Sequence, residues 1–262
     1  MRYSHTYRML LILLLIVVLL LLNLLLGSVS IPAQSIWNIL TGAGNEPVSW
    51  QNIVWKSRLP QALTALAAGA GLAVSGLQMQ TVFRNPLAGP SVLGISSGAS
   101  MGVAFVILLS GSLGGVALSR LGVMGEIALS VAAIIGSLSV MALIVYVSQK
   151  VKGNVTLLII GVMIGYVSNA VIGVLKFFSV EEDIRAYVIW GLGSFSRVSG
   201  NQMMLFVTLM AILLPLSFLL IKTLNLMLLG DGYARNLGLN IKRARLLVIV
   251  SAGVLTAIVT AY

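Results

Sequence analysis

Six carboxylates, sixteen lysine and arginine side chains and one imidazole make up most of the ionisable chemistry of this 262-residue chain, and there is no cysteine. Catalysis by thiolate and any disulfide framework are therefore excluded. The single histidine, His5, precedes the first apolar stretch, so a HExxH-type zinc site cannot form. Five of the carboxylates are Glu46, Glu126, Glu181, Glu182 and Asp183. The last three lie in EEDIRAY, where Glu181 and Arg185 have the i, i+4 spacing of an ion pair on a solvated helix face. The sixth, Asp231, lies in LLGDGYARNLGLNIKRAR among arginines and lysines. None of the six falls in the middle of an apolar stretch. An intramembrane acid or histidine is what a proton relay or an ion-coupled carrier needs, and an intramembrane enzyme needs paired groups at one depth. The chain supplies neither.

The elements that carry these residues are apolar. The chain is 59% hydrophobic and 8% charged, far from the roughly 25% charged residues of a soluble domain. Seven segments, 9–27, 60–82, 91–110, 126–147, 156–176, 202–221 and 246–262, approach the ~20 residues that cross a hydrocarbon core of about 30 Å. Segments of this length without alternation predict helices, because only helices and closed barrels satisfy their backbone in lipid. The first follows MRYSHTYR, but its apolar core exceeds the roughly 7–15 residues of a secretory signal and no A-x-A-like site follows, so it reads as a retained helix.

The net charge of +10 comes in short runs between apolar stretches, the pattern of membrane loops rather than of a nucleic-acid surface. With the N-terminus in the cytoplasm, ten basic residues (Arg2, Arg8, Arg84, Lys150, Lys152, Lys222, Arg235, Lys242, Arg243, Arg245) lie inside against one acid, Asp231. Six (Lys56, Arg58, Arg120, Lys176, Arg185, Arg197) lie outside with the other five acids. That asymmetry obeys the positive-inside rule and predicts the orientation.

Two patterns inside this frame could do work. Gly94, Gly98 and Gly102 are four apart, as are Gly161 and Gly165, with Gly173 further on. At helical spacing they make a flat stripe that lets backbones approach, either as ordinary packing or as the wall of a pathway. In 222–245, Gly230 and Gly238 punctuate a short amphipathic helix, DGYARNLGL. Tyr233, Leu237 and Leu239 are expected on its apolar face and Arg235 and Asn236 on its polar one. The segment suits either a lipid-headgroup anchor or a cytoplasmic partner.

Three stretches in order, KSRLPQ, SGLQMQTVFRNPLAGPSVLGISSGA and LLGDGYARNLGLNIKRAR, together resemble the FecCD-type permeases, the membrane subunits of ABC importers for iron-siderophores, haem and cobalamin. The resemblance implies an all-α polytopic bundle, a single permease domain over 1–262 that is not itself an enzyme. It pairs with itself or with a second permease, binds two cytoplasmic ATPase subunits that hold the ATP and magnesium, and receives cargo from an extracytoplasmic binding protein. It binds no cofactor or metal directly.

The coupling loop to the ATPase corresponds to 222–245, with Gly230, Tyr233, Ala234, Arg235, Leu237, Gly238 and Leu239 in contact. Asn85 and Leu87 correspond to a cytoplasmic gate, opposed by Asn154 and Val155 at the start of the fifth helix. Pro86 and Pro90 break the chain there by disfavouring helix at the residues before them. Ser97 joins Gly94, Gly98, Gly102, Gly161 and Gly165 in the packed wall. Arg58 corresponds to a docking residue whose exposed guanidinium receives an acid of the binding protein; Gln61 replaces a second arginine. The family has ten helices, of which seven are present. On this reading the chain is either a fragment or a naturally truncated member, and it does not transport alone.

Overall fold

The uninterrupted Leu, Ile and Val of residues 10–22 leave nothing to stop a helix, and the first helix, α1, spans Arg2–Leu25. Two short helices follow, α2 (Ala33–Thr41) and α3 (Val48–Ile53). The computed structural model describes residues 2–112, 123–151, 154–195, 198 and 200–262, with side chains for all of these except 2–5, 110–112, 123, 124, 154 and 201. Lys152, Arg120 and Arg197, used above for orientation, lie outside the described residues, as do the side chains of Arg2 and Asn154.

A π-helical turn, Val54–Arg58, joins α3 to α4 (Leu59–Phe83). Pro60 stands in the first turn of α4, where it has no N–H to give and its ring crowds the carbonyl four residues back. The wider turn accommodates this, with Leu59 N donating to Val54 O five residues earlier. Helices α5 (Ile95–Ser112), α6 (Val123–Lys150), α7 (Asn154–Phe177) and α8 (Glu181–Gly191) come next. Then follow α9 (Gly200–Phe218), α10 (Ile221–Leu228), α11 (Asp231–Asn236) and α12 (Ile241–Ala261). No strand occurs among the described residues.

Each of the seven apolar segments contains a helix, but not each makes one straight span. Among the described residues, five helical runs are long and apolar enough to cross a membrane: Thr6–Leu25, Val48–Phe83, Gly125–Lys150, Val155–Phe177 and Ile241–Ala261. The segment predicted at 202–221 is instead a bent pair, Gln202–Phe218 and Ile221–Leu228, with 48° between them. Pro215 lies one turn before the break, and the chain leaves α9 through tight i→i−3 bonds, Leu219 N to Leu216 O and Leu220 N to Ser217 O. The segment predicted at 91–110 starts late, because Pro90–Leu93 forms a 3₁₀ turn and α5 begins only at Ile95. At the other end, α12 begins five residues before the predicted 246. Asn240 caps it, its side chain accepting from Arg243 N at 3.1 Å.

The chain divides into two compact units, Met1–Ala67 with Ser194–Val207, and Ala68–Gly193 with Thr208–Tyr262. The first has a small core of Ile31, Ile36, Ile39 and Val54. The second has one core around Met79, Leu93, Ile144, Leu157 and Ile249, and another around Ala99, Val103, Leu108, Ala133 and Tyr187.

Candidate functional site

The break after α4 is built from local rules. Asn85 N donates to Gln80 O and Arg84 N to Thr81 O, the paired bonds of a Schellman ending. The residue that must turn left-handed in this motif is normally glycine. Here it is Arg84, with φ of 49°, the only non-glycine with positive φ among the described residues. The Asn85 side chain then accepts from Leu87 N at 2.9 Å, fixing a short Asx turn. Leu87 is left 86% exposed while Ala88 is buried in the core. After the 3₁₀ turn, Gly94 is left-handed (φ 72°) rather than helical. That corrects its place in the predicted stripe: Gly94 ends a turn and lies against the backbone of Gly161, whereas Gly98 and Gly102 belong to α5.

The stripe itself forms. A side chain on Gly98 would meet Gly136 O at 2.7 Å, and one on Gly161 would meet Val92 O at 2.6 Å. Gly102 faces Ala132 O, and Gly165 lies beside the Ser97 hydroxyl. Gly136 of α6, which completes the contact with Gly98 and Gly102, went unrecognised in the sequence, although Ala132, Gly136 and Val140 share one helical face. A polar seam joining α4 to α12 was also missed. Ser75 Oγ lies 2.8 Å from Thr256 Oγ1 and donates to Ala252 O at 2.9 Å, and Gln78 Nε2 donates to Ser251 Oγ at 3.1 Å. Between helices that are apolar all round, such bonds fix which faces meet.

The segment 222–245 is more helical than a loop. Its first part is α10, and DGYARN forms α11 as the sequence predicts. Gly230 (φ 104°) and Gly238 (φ 86°) bound α11 in conformations closed to L side chains. A second Schellman pair, Leu239 N to Ala234 O and Gly238 N to Arg235 O, ends it. Tyr233 (72%), Leu237 and Arg235 point outward. Two predicted contact residues do not. Ala234 is fully buried and Leu239 is half-buried against the core, because the closing turn carries the chain back inward. They position α11 rather than touch a partner. Val155, at the start of α7, is exposed.

These two segments meet through charge. Arg84 Nη2 contacts Asp231 Oδ1 at 2.5 Å, and Arg245 Nη2 lies 3.7 Å from Asp231 Oδ2. A longer contact runs from Arg84 to Met227 O at 3.5 Å. Nothing local in the sequence pairs residues 147 apart.

Arg58 differs from its expectation. It is 4% exposed, and its guanidinium donates to Leu24 O at 2.6 Å, to Leu25 O at 3.1 Å and to Val29 O. The π-helical turn aims it at the C-terminal end of α1, where unpaired carbonyls and the negative end of the helix dipole favour a cation. Gly27 leaves the room, since a side chain there would meet Arg58 Nη2 at 2.8 Å. The exposed guanidinium required for docking an acid is absent; Arg58 caps a helix.

Among the described residues, no group of three His, Asp or Glu side chains is placed to hold a metal ion. Long apolar helices, small-residue crossings and punctuated turns define a multi-pass α-helical membrane protein. More particularly, the chain belongs to the FecCD transport family, whose model matches residues 14–262. It is 34% identical over 231 residues to the hemin transport system permease protein HmuU of Yersinia pestis, covering 88% of this chain and 66% of the relative. It is 34% identical over 243 residues to the vitamin B12 import system permease protein BtuC of Serratia proteamaculans, covering 90% of this chain and 69% of the relative. The chain thus spans about two thirds of the length of these relatives. A solved structure, described as an inward-facing conformation of a metal-chelate type ABC transporter, superposes with a TM-score of 0.75 at 30% identity, covering 95% of this chain and 73% of that one.

Proposed function

We propose that this chain is the membrane-spanning permease subunit of an ATP-driven importer. Its cargo is an iron-siderophore or related metal chelate, moved across the cytoplasmic membrane, and its N-terminus lies in the cytoplasm. Family membership and the solved metal-chelate transporter support the class. The observation that carries the mechanism is α11, a short helix held between two left-handed glycines, with Tyr233, Arg235 and Leu237 outward and Ala234 buried behind them. Such a helix suits a groove on a cytoplasmic ATPase, two copies of which supply ATP and magnesium. A second permease completes the pathway, and an extracytoplasmic binding protein delivers the cargo.

Work done on α11 passes into the bundle because Leu239 packs against the same core as α12 and Ala234 is fully buried, so that it moves as a rigid element. Asn85 and Leu87, with Asn154 and Val155, form the cytoplasmic gate, and the exposed Leu87 and Val155 provide its apolar lips. The chain itself makes and breaks no covalent bond. Gly98, Gly102 and Gly161 keep the wall thin and rigid.

The test is accumulation of ferric siderophore in proteoliposomes holding the gene product with its ATPase and binding protein. Uptake that requires ATP hydrolysis is expected, and uptake that continues without the ATPase refutes the reading. Because the chain has no cysteine, a single Tyr233→Cys or Leu237→Cys reports ATPase contact directly by cross-linking.

A further inference from the structure

Asp231 stands out by its surroundings. Of the six carboxylates it alone lies among the ten basic residues assigned to the cytoplasmic side, and its two oxygens face two different guanidiniums. Oδ1 takes Arg84, from the turn after α4, and Oδ2 faces Arg245, from the second turn of α12. Arg245 has a side chain only 17% exposed, and its Nε has no hydrogen-bond partner among the described residues. A guanidinium in that position depends on the carboxylate. Without Asp231, Arg84 and Arg245 would confront each other as like charges.

Arg84 makes the arrangement informative, because it occupies a left-handed backbone position normally taken by glycine. A left-handed L residue costs on the order of 1 kcal/mol, a cost the turn alone would avoid with glycine. The side chain reaches Asp231, and through it the first turn of α11. One residue on, Asn85 holds Leu87 by its side chain.

We propose that Arg84, Asp231 and Arg245 form an electrostatic latch tying the 84–88 turn to the α11 segment, so that displacement of α11 moves Asn85 and Leu87 with it. The transport role rests on the importer reading above; the latch itself does not. Arg84 and Asp231 are positioning residues. They face water on one side, with side chains 45% and 43% exposed, so the latch is of moderate strength and weakened by salt.

The decisive variant is Arg84→Gly. Glycine suits the left-handed position, so if Arg84 serves only the turn, this variant holds the turn as well as the parent or better. If it serves the latch, the turn loosens. Amide hydrogen exchange at Leu87 and Ala88, measured on the chain alone in detergent, reads the difference without any partner. We expect exchange about two- to fivefold faster in Arg84→Gly and faster still in Asp231→Asn, which adds the Arg84–Arg245 repulsion. Asp231→Glu should restore parental rates. The double variant Arg84→Gly/Asp231→Asn should match Arg84→Gly alone, because removing Arg84 removes the repulsion. Parental protection should fall with added sodium chloride, and that of Arg84→Gly should not.

In the reconstituted complex, Arg84→Gly should raise the ATP hydrolysed per cargo molecule moved, and Asp231→Glu should not. Exchange in Arg84→Gly equal to or slower than in the parent overturns the latch, whatever the transport result. Loosened exchange with an unchanged ATP-to-cargo ratio overturns its role in coupling. Parental uptake independent of ATP overturns the importer reading and leaves the exchange result standing.

Discussion

Gly98→Ala isolates the contact between α5 and α6. The new methyl would lie 2.7 Å from Gly136 O and 2.6 Å from Val140 Cγ2, whereas carbon–oxygen contacts are comfortable from about 3.3 Å. Neither neighbour yields easily: one is helix backbone, and the other is a β-branched side chain with one strongly preferred rotamer in a helix. The helices must separate by roughly 0.6 Å at the crossing, a gap that forfeits about a quarter or more of each affected dispersion contact. Overpacking of this kind costs about 1–3 kcal/mol. Against it stands a gain of about 1 kcal/mol from replacing glycine in a helix, so the net effect is a loss of up to about 2 kcal/mol. Gly173→Ala in α7 is the control. An added side chain there meets nothing within 4 Å, so only the helix-propensity gain remains. At about 2–4 °C per kcal/mol for a chain of this size, the two variants should melt roughly 2–12 °C apart in detergent, Gly98→Ala at or below the parent and Gly173→Ala at or above it. A Gly98→Ala protein that melts with or above Gly173→Ala would show that the crossing is not close-packed and refute the reasoning.

Three further outcomes are expected. Arg58→Met strips the cap from three carbonyls and should lower stability by about 3 kcal/mol. Arg58→Lys should recover only part of it, since one ammonium lacks the two-pronged reach of Nη1 and Nη2; thermal unfolding of both variants checks this. Gly238→Ala places a side chain at φ 86°, and Arg235→Ala removes a charge from the outer face of α11. Both should leave membrane insertion intact and lower cargo uptake per ATP hydrolysed, measured in proteoliposomes.

The last concerns Asp183, whose pKa is raised above the ordinary 3.8 by burial first and by the neighbouring Glu182 second. A raised folded pKa means that the folded state holds its proton longer. Stability from this group is therefore complete below pH ~3.8 and is lost as pH rises through the folded value. Asp183→Asn should flatten that fall. It should also stabilise the protein at neutral pH, because the buried Oδ2 has no hydrogen-bond partner among the described residues. That deficit costs about 1–3 kcal/mol against a helix-dipole benefit of roughly 0.5. Melting curves from pH 4 to 8 decide the matter.

The long helices, and several of the points where they end, were legible in the amino-acid sequence alone. Long apolar runs, Pro86 and Pro90 after α4, and Gly230 and Gly238 around α11 act through backbone rules that reach only a few residues. Motif order likewise carried the family. Which faces meet was decided by the tertiary structure. In a soluble protein the apolar stripe of a helix marks its buried side, but a membrane helix is apolar toward lipid and toward protein alike, so its composition does not say which side packs. The pairing of Gly98 with Gly136, the inward turn of Arg58 and the meeting of Arg84 with Asp231 across 147 positions therefore left no local signal. Each depends on backbones approaching closely enough for small residues and charges to find one another, and only the packed helices set that approach.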